Sequence, residues 1–297
     1  MQPRSRRVSG SDGLELHVLE WSEEGVPFVL LHGFGNEAHI WDDFAPDVAP
    51  YYRTLALDLR GHGDSDRHPE ALYDYEYQLA DLEAAFAALG IDRLVLCGHS
   101  FGGRVAMLFA GAHPERLAGL VIVDSAPELD SRGVVRIQVD LAEQGDATFA
   151  SVEAYERGLA HAYPAGQPAA LARMARFGVR RREDGRYERK TDPAFHRLSA
   201  QASPEEAAKR EQETARRLWD SLAKTTCPTL VVRGAASDIF SPETADRMVE
   251  NVLPNGHLAI VPQAGHSVMT DNPAGFAKAV GAFVLGEEAD PESGSAS

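Results

Sequence analysis

A chain of 297 residues with 44% hydrophobic and 25% charged residues carries enough apolar side chain to bury a substantial core. Its length suits one α/β domain with an insertion. Acidic residues outnumber basic ones by 45 to 29, for a formal net charge of −16, and such a surface repels a phosphate backbone, which argues against nucleic-acid binding.

Cys97 and Cys227 are the only cysteines, too few and too isolated for a disulfide framework or a thiolate metal site. The N-terminal stretch MQPRSRRVSGSDG is basic but has no apolar centre of the signal-peptide kind, and no run approaches ~18 apolar residues. The expectation is a cytoplasmic protein with no membrane partner.

In chain order, VSGSDGLELHVLEW reads as a hairpin turning at Ser11-Asp12-Gly13. The runs VPFVLLHG, RTLALDLRG, DRLVLCGHS, LAGLVIVDS, PTLVVRG and HLAIVPQAGH follow, each short, apolar without alternation, and ending in polar or glycine positions. That pattern suits strands buried on both faces of a parallel sheet. Helical spacing lies between them, at Leu79, Leu82, Ala85, Phe86 and Leu89 and again at Val105, Leu108, Phe109 and Ala112. A last helix is expected from Pro273 to Leu285, with Asp271 or Asn272 as its cap and Pro273 in its first turn.

From Pro127 to Thr226 no buried strand is evident in a stretch rich in Ala, Arg and Glu. An irregular loop of that length is implausible, so a mostly helical inserted layer is expected there. The resulting division is a core of 1–125 and 224–286, an inserted layer over 126–223, and a polar, disordered tail over 287–297. Arg180, Arg181, Arg182, Arg186, Arg189 and Lys190 form a basic run that reads as a solvated helix end or loop, or more sharply as an attractor of acidic substrates.

Ligands of an open parallel sheet sit beyond the carboxyl ends of its strands. His32-Gly33-Phe34-Gly35, Asp58, Ser100, Asp124, Asp238 and His266 all fall at such ends. GHSFGG, Gly98 to Gly103, has a strand immediately before it and a helix immediately after, the setting of a nucleophile elbow. A serine hydroxyl needs a base to take its proton. His266, after the last strand in PQAGHSV, follows the serine and every candidate acid, as the order Ser, acid, His requires. The backbone N–H groups of Phe101 and Phe34 would form the oxyanion hole. His99 reads as a packing residue, and His32, Asp58, Arg60, His62 and Ser65 as braces of the loops beneath the site.

HGFG, DLRGHGDSD, GHSFGG and the C-terminal AGH, in that order, resemble the α/β-hydrolase superfamily from about Val8 to Leu285. The resemblance implies a mostly parallel, doubly wound α/β sheet of the α/β-hydrolase type, with a helical cap over 126–223. It also implies an ester, thioester, lactone or amide of a small molecule as substrate, and neither metal nor organic cofactor. Most members carry the acid in a G-x-x-D pattern after the strand TLVVRG. Counting from Gly234, that position is Ser237, and Asp238 lies one residue late. A second branch carries the acid after the preceding strand, where Asp124 stands, 24 residues beyond Ser100. Asp124 is the favoured acid and Asp238 the alternative.

The leading reading is therefore a serine hydrolase working through an acyl-enzyme. A serine at position 100 argues against an epoxide hydrolase or dehalogenase, which would use aspartate. A C–C bond hydrolase or a cofactor-free ring-opening dioxygenase could use the same triad, and a catalytically idle binding protein of this fold is a further alternative. Trp41 and Phe240 are candidate substrate-binding residues of an apolar pocket.

Overall fold

The computed structural model of the chain describes residues 1–130, 133, 148–201 and 203–286. Every apolar run expected to be a strand is one. The chain opens with β1 (Arg4–Ser9) and β2 (Glu15–Glu20), an antiparallel hairpin paired from Arg4↔Glu20 to Ser9↔Glu15. Asp12 and Gly13 turn it with φ of 55° and 75°. Strands and helices then alternate: β3 (Val26–Leu31), α1 (Ala45–Val48), β4 (Tyr52–Leu57), α2 (Tyr75–Ala88), β5 (Leu94–His99), α3 (Ser100–Ala112) and β6 (Leu117–Val123).

The inserted stretch holds β7 (Thr148–Phe149), α4 (Val152–Ala162), α5 (Pro168–Gly178), β8 (Val179–Arg181), β9 (Tyr187–Arg189), α6 (Ala194–Gln201) and α7 (Pro204–Lys224). The alternation then resumes with β10 (Thr229–Gly234), α8 (Pro242–Asp246), β11 (Gly256–Val261), α9 (Val268–Asp271) and α10 (Pro273–Leu285). The main sheet runs β1-β2-β4-β3-β5-β6-β10-β11. Its neighbours are parallel from β4 to β11, and β2 runs against both β1 and β4.

The apolar runs lack alternation because both faces of the sheet are covered. Val29, Leu31, Leu55, Leu57, Leu94, Leu96, Leu120 and Ile122 join one core, with Leu82 and Phe86 of α2 and Val105 and Phe109 of α3. The residues between them, among them Phe28, Leu30, Ala56, Val95, Cys97, Val121 and Val123, join a second core with Phe276 and Val280 of α10. The period of two is thus intact, but both of its phases are hydrophobic. Asn272 caps α10, its side chain accepting from the Gly275 N–H at 2.9 Å.

One feature adds detail to the mostly helical layer expected over the insertion. The inserted stretch is not helical throughout: β7, β9 and β8 form a small antiparallel sheet. These strands have two or three residues each and are largely exposed, so they leave no buried apolar run to read. The basic run is accordingly a hairpin rather than a helix end. Among its cations, Arg180 and Arg182 pair with Glu188 and Lys190 pairs with Asp64. Residues 131, 132, 134–147 and 202 and the tail 287–297, the latter expected to be disordered, lie outside the described residues. No helix among the described residues is long and apolar enough to cross a membrane.

Candidate active site

Ser100 is the first residue of α3, and its φ is 52°. That left-handed conformation is rare for a residue with a side chain, and it is held here by packing so tight that glycine is required beside it. A Cβ on Gly98 would lie 2.3 Å from the Gly102 carbonyl oxygen, and one on Gly102 would lie 2.5 Å from that of His32. The strand, the helix that leaves it and the neighbouring β3 end therefore meet backbone to backbone. Ser125 braces the turn from beneath, its hydroxyl donating to the Ser100 carbonyl at 2.7 Å.

Three residues from three strand ends meet above this turn. His266 Nε2 lies 2.9 Å from Ser100 Oγ, and His266 Nδ1 lies 2.8 Å from Asp124 Oδ2. A carboxylate only accepts, so Nδ1 carries the ring proton and Nε2 is left to accept from the serine hydroxyl. Asp124 immediately follows β6 with φ of 41° and is fully buried. Its Oδ1 accepts from the Gly234 N–H at 2.9 Å, and its Oδ2 also accepts from Ser237 Oγ at 2.6 Å. Both nitrogens of His266 are therefore engaged by Ser100 and Asp124. Asp238, the alternative acid, lies on the wall of the adjoining cavity.

His99 borders the same cavity as Ser100 but makes its hydrogen bond elsewhere. Its Nε2–H donates to the His266 carbonyl at 2.9 Å and so ties the histidine-bearing loop to the end of β5. Burial, helped by the nearby His266 ring, lowers its pKa to about 3, so it stays neutral. His32 accepts from the Leu59 N–H at 3.0 Å. Asp58 accepts from His17 Nδ1 and from the N–H groups of Ala38 and Asp64. Ser65 Oγ donates to the Asp58 carbonyl, and Arg60 pairs with the buried Asp81 at 2.6 Å. His62 donates to the Arg60 carbonyl at 3.1 Å. These residues hold the loops under the site.

A cavity of about 630 Å³ opens over Ser100 and His266. Phe34 and Asn36 of the HGFG loop form one side, and Tyr155, Leu159 and Tyr163, from α4 and the residue after it, form another. A smaller recess of about 130 Å³, bounded in part by Tyr75, Phe101 and Leu129, also reaches Ser100. Phe34 and Phe101 pack edge to face with ring centroids 6.5 Å apart.

Two expected substrate contacts are not made. Trp41 is fully buried in the core with α10, and Phe240 is fully buried in the opposite core. Both are large apolar side chains whose burial is satisfied by packing against one or the other face of the sheet. Conversely, Tyr155, Tyr163 and Asn36 line the cavity and were not anticipated, and Arg189 of the basic run lines it too. Tyr155 and Tyr163 lie on or just after α4, in a stretch with no motif to mark them, and Asn36 follows the HGFG motif without being part of it. Ser237 carried a signal, its place in the G-x-x-D register, which reads naturally as the loss of an acid rather than as a hydrogen-bond donor.

The alpha/beta hydrolase fold model matches residues 26–273. The chain is 29% identical to epoxide hydrolase A of Mycobacterium tuberculosis, over 96% of this chain and 98% of that protein. It is 25% identical to 2-(acetamidomethylene)succinate hydrolase of Mesorhizobium japonicum, over 94% and 95% respectively. A crystal structure of E-2-(acetamidomethylene)succinate hydrolase superposes with a TM-score of 0.81 at 25% identity, covering 95% of this chain and 99% of that one. An alpha/beta hydrolase of Novosphingobium aromaticivorans is 31% identical with a TM-score of 0.79, covering 94% and 97%. The strand order, the elbow and the family match agree, and the chain belongs to the α/β hydrolases.

Proposed function

We propose that this protein is a serine hydrolase that cleaves a small carboxylic ester or amide, thioesters and lactones included, through an acyl-enzyme. The observation that carries the reading is the unbroken chain from Ser100 Oγ through His266 to Asp124 Oδ2, with links of 2.9 and 2.8 Å. In this reaction Ser100 Oγ attacks the carbonyl carbon and its proton passes to His266 Nε2. The resulting imidazolium is stabilised by Asp124. The N–H groups of Phe34 and Phe101 receive the oxyanion as the C=O bond opens. His266 then returns the proton to the departing alcohol, thiol or amine as the bond to it breaks. Water, deprotonated by the same nitrogen, attacks the acyl-enzyme and releases the carboxylic acid and free Ser100.

Segment 126–223 acts in this reading as a cap that shapes the substrate pocket, a role supported by the cavity wall that Tyr155, Leu159 and Tyr163 supply. A cavity of about 630 Å³ suits a small molecule. Serine at position 100 argues against the aspartate chemistry of epoxide opening, despite the similarity to an epoxide hydrolase. The similarity to 2-(acetamidomethylene)succinate hydrolase favours including carboxylated amides among the candidate substrates.

The test is a fluorophosphonate probe together with a panel of p-nitrophenyl esters of increasing chain length, lactones and carboxylated amides. Wild-type protein should be labelled and should turn over at least one substrate, and Ser100→Ala should do neither. Absence of labelling in the wild type, or full turnover by Ser100→Ala, would reject the reading.

A further inference from the structure

Ser237 occupies the position where the more common branch of this fold carries its acid, yet it is still wired to the same histidine. It is buried, with 7% of its surface exposed, and its hydroxyl has three partners. The N–H groups of Phe240, at 3.2 Å, and Ile239, at 3.4 Å, both point at Oγ. Those groups can only donate, so the single hydroxyl proton goes to the remaining partner, Asp124 Oδ2, at 2.6 Å. The same oxygen accepts the Nδ1–H of His266 at 2.8 Å. The loop that carries Ser237 is itself fixed, its N–H donating to the Gly234 carbonyl and its carbonyl accepting from Arg233.

We infer that Ser237 is a positioning residue of the triad: its hydroxyl holds Asp124 Oδ2 opposite His266 and takes up part of the carboxylate charge that would otherwise fall on the imidazole. Without the hydroxyl, Oδ1 stays anchored on Gly234 but Oδ2 can swing about that anchor, which lowers the fraction of correctly aimed histidine. The charge left on Oδ2 is then less shared, so it stabilises the imidazolium more strongly. The first effect lowers kcat, and the second moves the acid limb of the pH–rate profile upward. Ser237 does not line the main cavity, so substrate binding should not change. The other ionisable groups near His266 are Asp271 of α9 and His99 of β5, with Asp238, Arg189, Tyr155 and Tyr163 on the shared cavity wall. Asp271 and His99 are not among the hydrogen-bond partners of Ser237 Oγ, which are Asp124, Ile239 and Phe240.

The inference rests on the serine-hydrolase reading, and the experiment separates the two. Ser237→Ala, Ser237→Thr and Ser100→Ala are compared with wild type by kcat and KM from pH 5 to 9, on whichever panel substrate is turned over. Ser237→Ala should lose roughly 10-fold in kcat with KM within about 2-fold, and its acid limb should rise by about half a pH unit. Ser237→Thr, which keeps the hydroxyl, should restore the wild-type limb. An unmoved limb with kcat within about 2-fold in Ser237→Ala would overturn the inference while leaving the triad standing. Full activity in Ser100→Ala would instead overturn the underlying reading. Should Ser237→Ala not fold, Ser237→Thr and Ser237→Cys grade the strength of the donor at similar volume. Identical limbs in those two variants would overturn the inference, and a higher limb in the cysteine variant would support it.

Discussion

Ser100 and Asp124 are among only five non-glycine residues with positive φ among the described residues. Such conformations cost on the order of 1–3 kcal/mol each and persist where packing imposes them. Both residues that stand on either side of His266 are thus held in backbone conformations that relaxed loops avoid, which aims their side chains at one ring. The partners of Asp124 sharpen what its replacement should do. In Asp124→Asn the amide can place its N–H₂ toward His266 Nδ1, which forces the wrong tautomer on the ring. Turnover should fall by about 10⁴-fold, as expected when a triad histidine loses its orienting carboxylate. Asp238→Asn leaves the Asp124–His266 link in place and should stay within about 10-fold. Matched kcat/KM measurements on one substrate check both, and equal losses would reverse the assignment of the acid.

At the scale of elements, α3 packs on α7 through Leu218 and Leu222, and one buried guanidinium adds a polar link between them. Arg104, one turn beyond Ser100 on α3, is nearly buried and donates to both oxygens of Glu211 on α7, at 2.6 and 2.9 Å. It also donates to the carbonyls of Ala126 and Pro127, just beyond Asp124. α7 is well started for this task, with Pro204 in its first turn and a reciprocal Ser203–Glu206 capping box. Arg104→Met strands these acceptors at a buried junction and should lower unfolding free energy by about 3 kcal/mol. Glu211→Gln keeps an acceptor on a half-exposed side chain, so its cost should be closer to 1 kcal/mol. Urea unfolding of the two variants tests the asymmetry, and equal losses would show that the ion pair, not the carbonyl contacts, dominates.

Across the whole molecule, burial sets an acid limit on stability. His62 and His99 are both pushed down to about 3, chiefly by burial, so the folded protein keeps them neutral where the unfolded chain, with histidine near 6.5, protonates them. Between these values the unfolded state binds more protons. Stability should therefore be level from pH 8 to 7 and fall as pH drops below about 6.5, by up to about 1.4 kcal/mol per pH unit for each histidine. Asp58, whose pKa is lowered by His17 and neighbouring groups against the opposing effect of its burial, adds a further loss at still lower pH. His62→Gln should flatten the slope between pH 6 and 4.5 by about one histidine's share. Urea midpoints at half-unit pH steps test this, and an unchanged slope would mean that His62 is not kept neutral by the fold.

The sheet, its parallel core and the serine turn were legible in the sequence because they follow from short-range physics. Runs such as LVLC and LVIV state that both faces of a strand are buried, and the glycines around Ser100 state that backbones approach there closely. The order of motifs likewise carried the family. The small sheet β7-β9-β8 was not legible, because strands this short and exposed bury no pattern. The tertiary structure alone decided which acid faces His266. Spacing from Ser100 favours Asp124 over Asp238 in the sequence, but the bond that sets Asp124 against His266 spans 142 residues. It also sent Trp41 and Phe240 into the cores and put unheralded residues of the inserted helices on the cavity wall. Hydrophobic pattern and glycine placement act locally and can be read locally. A hydrogen bond between β6, the loop after β10 and the loop after β11 exists only once the sheet has brought their ends together.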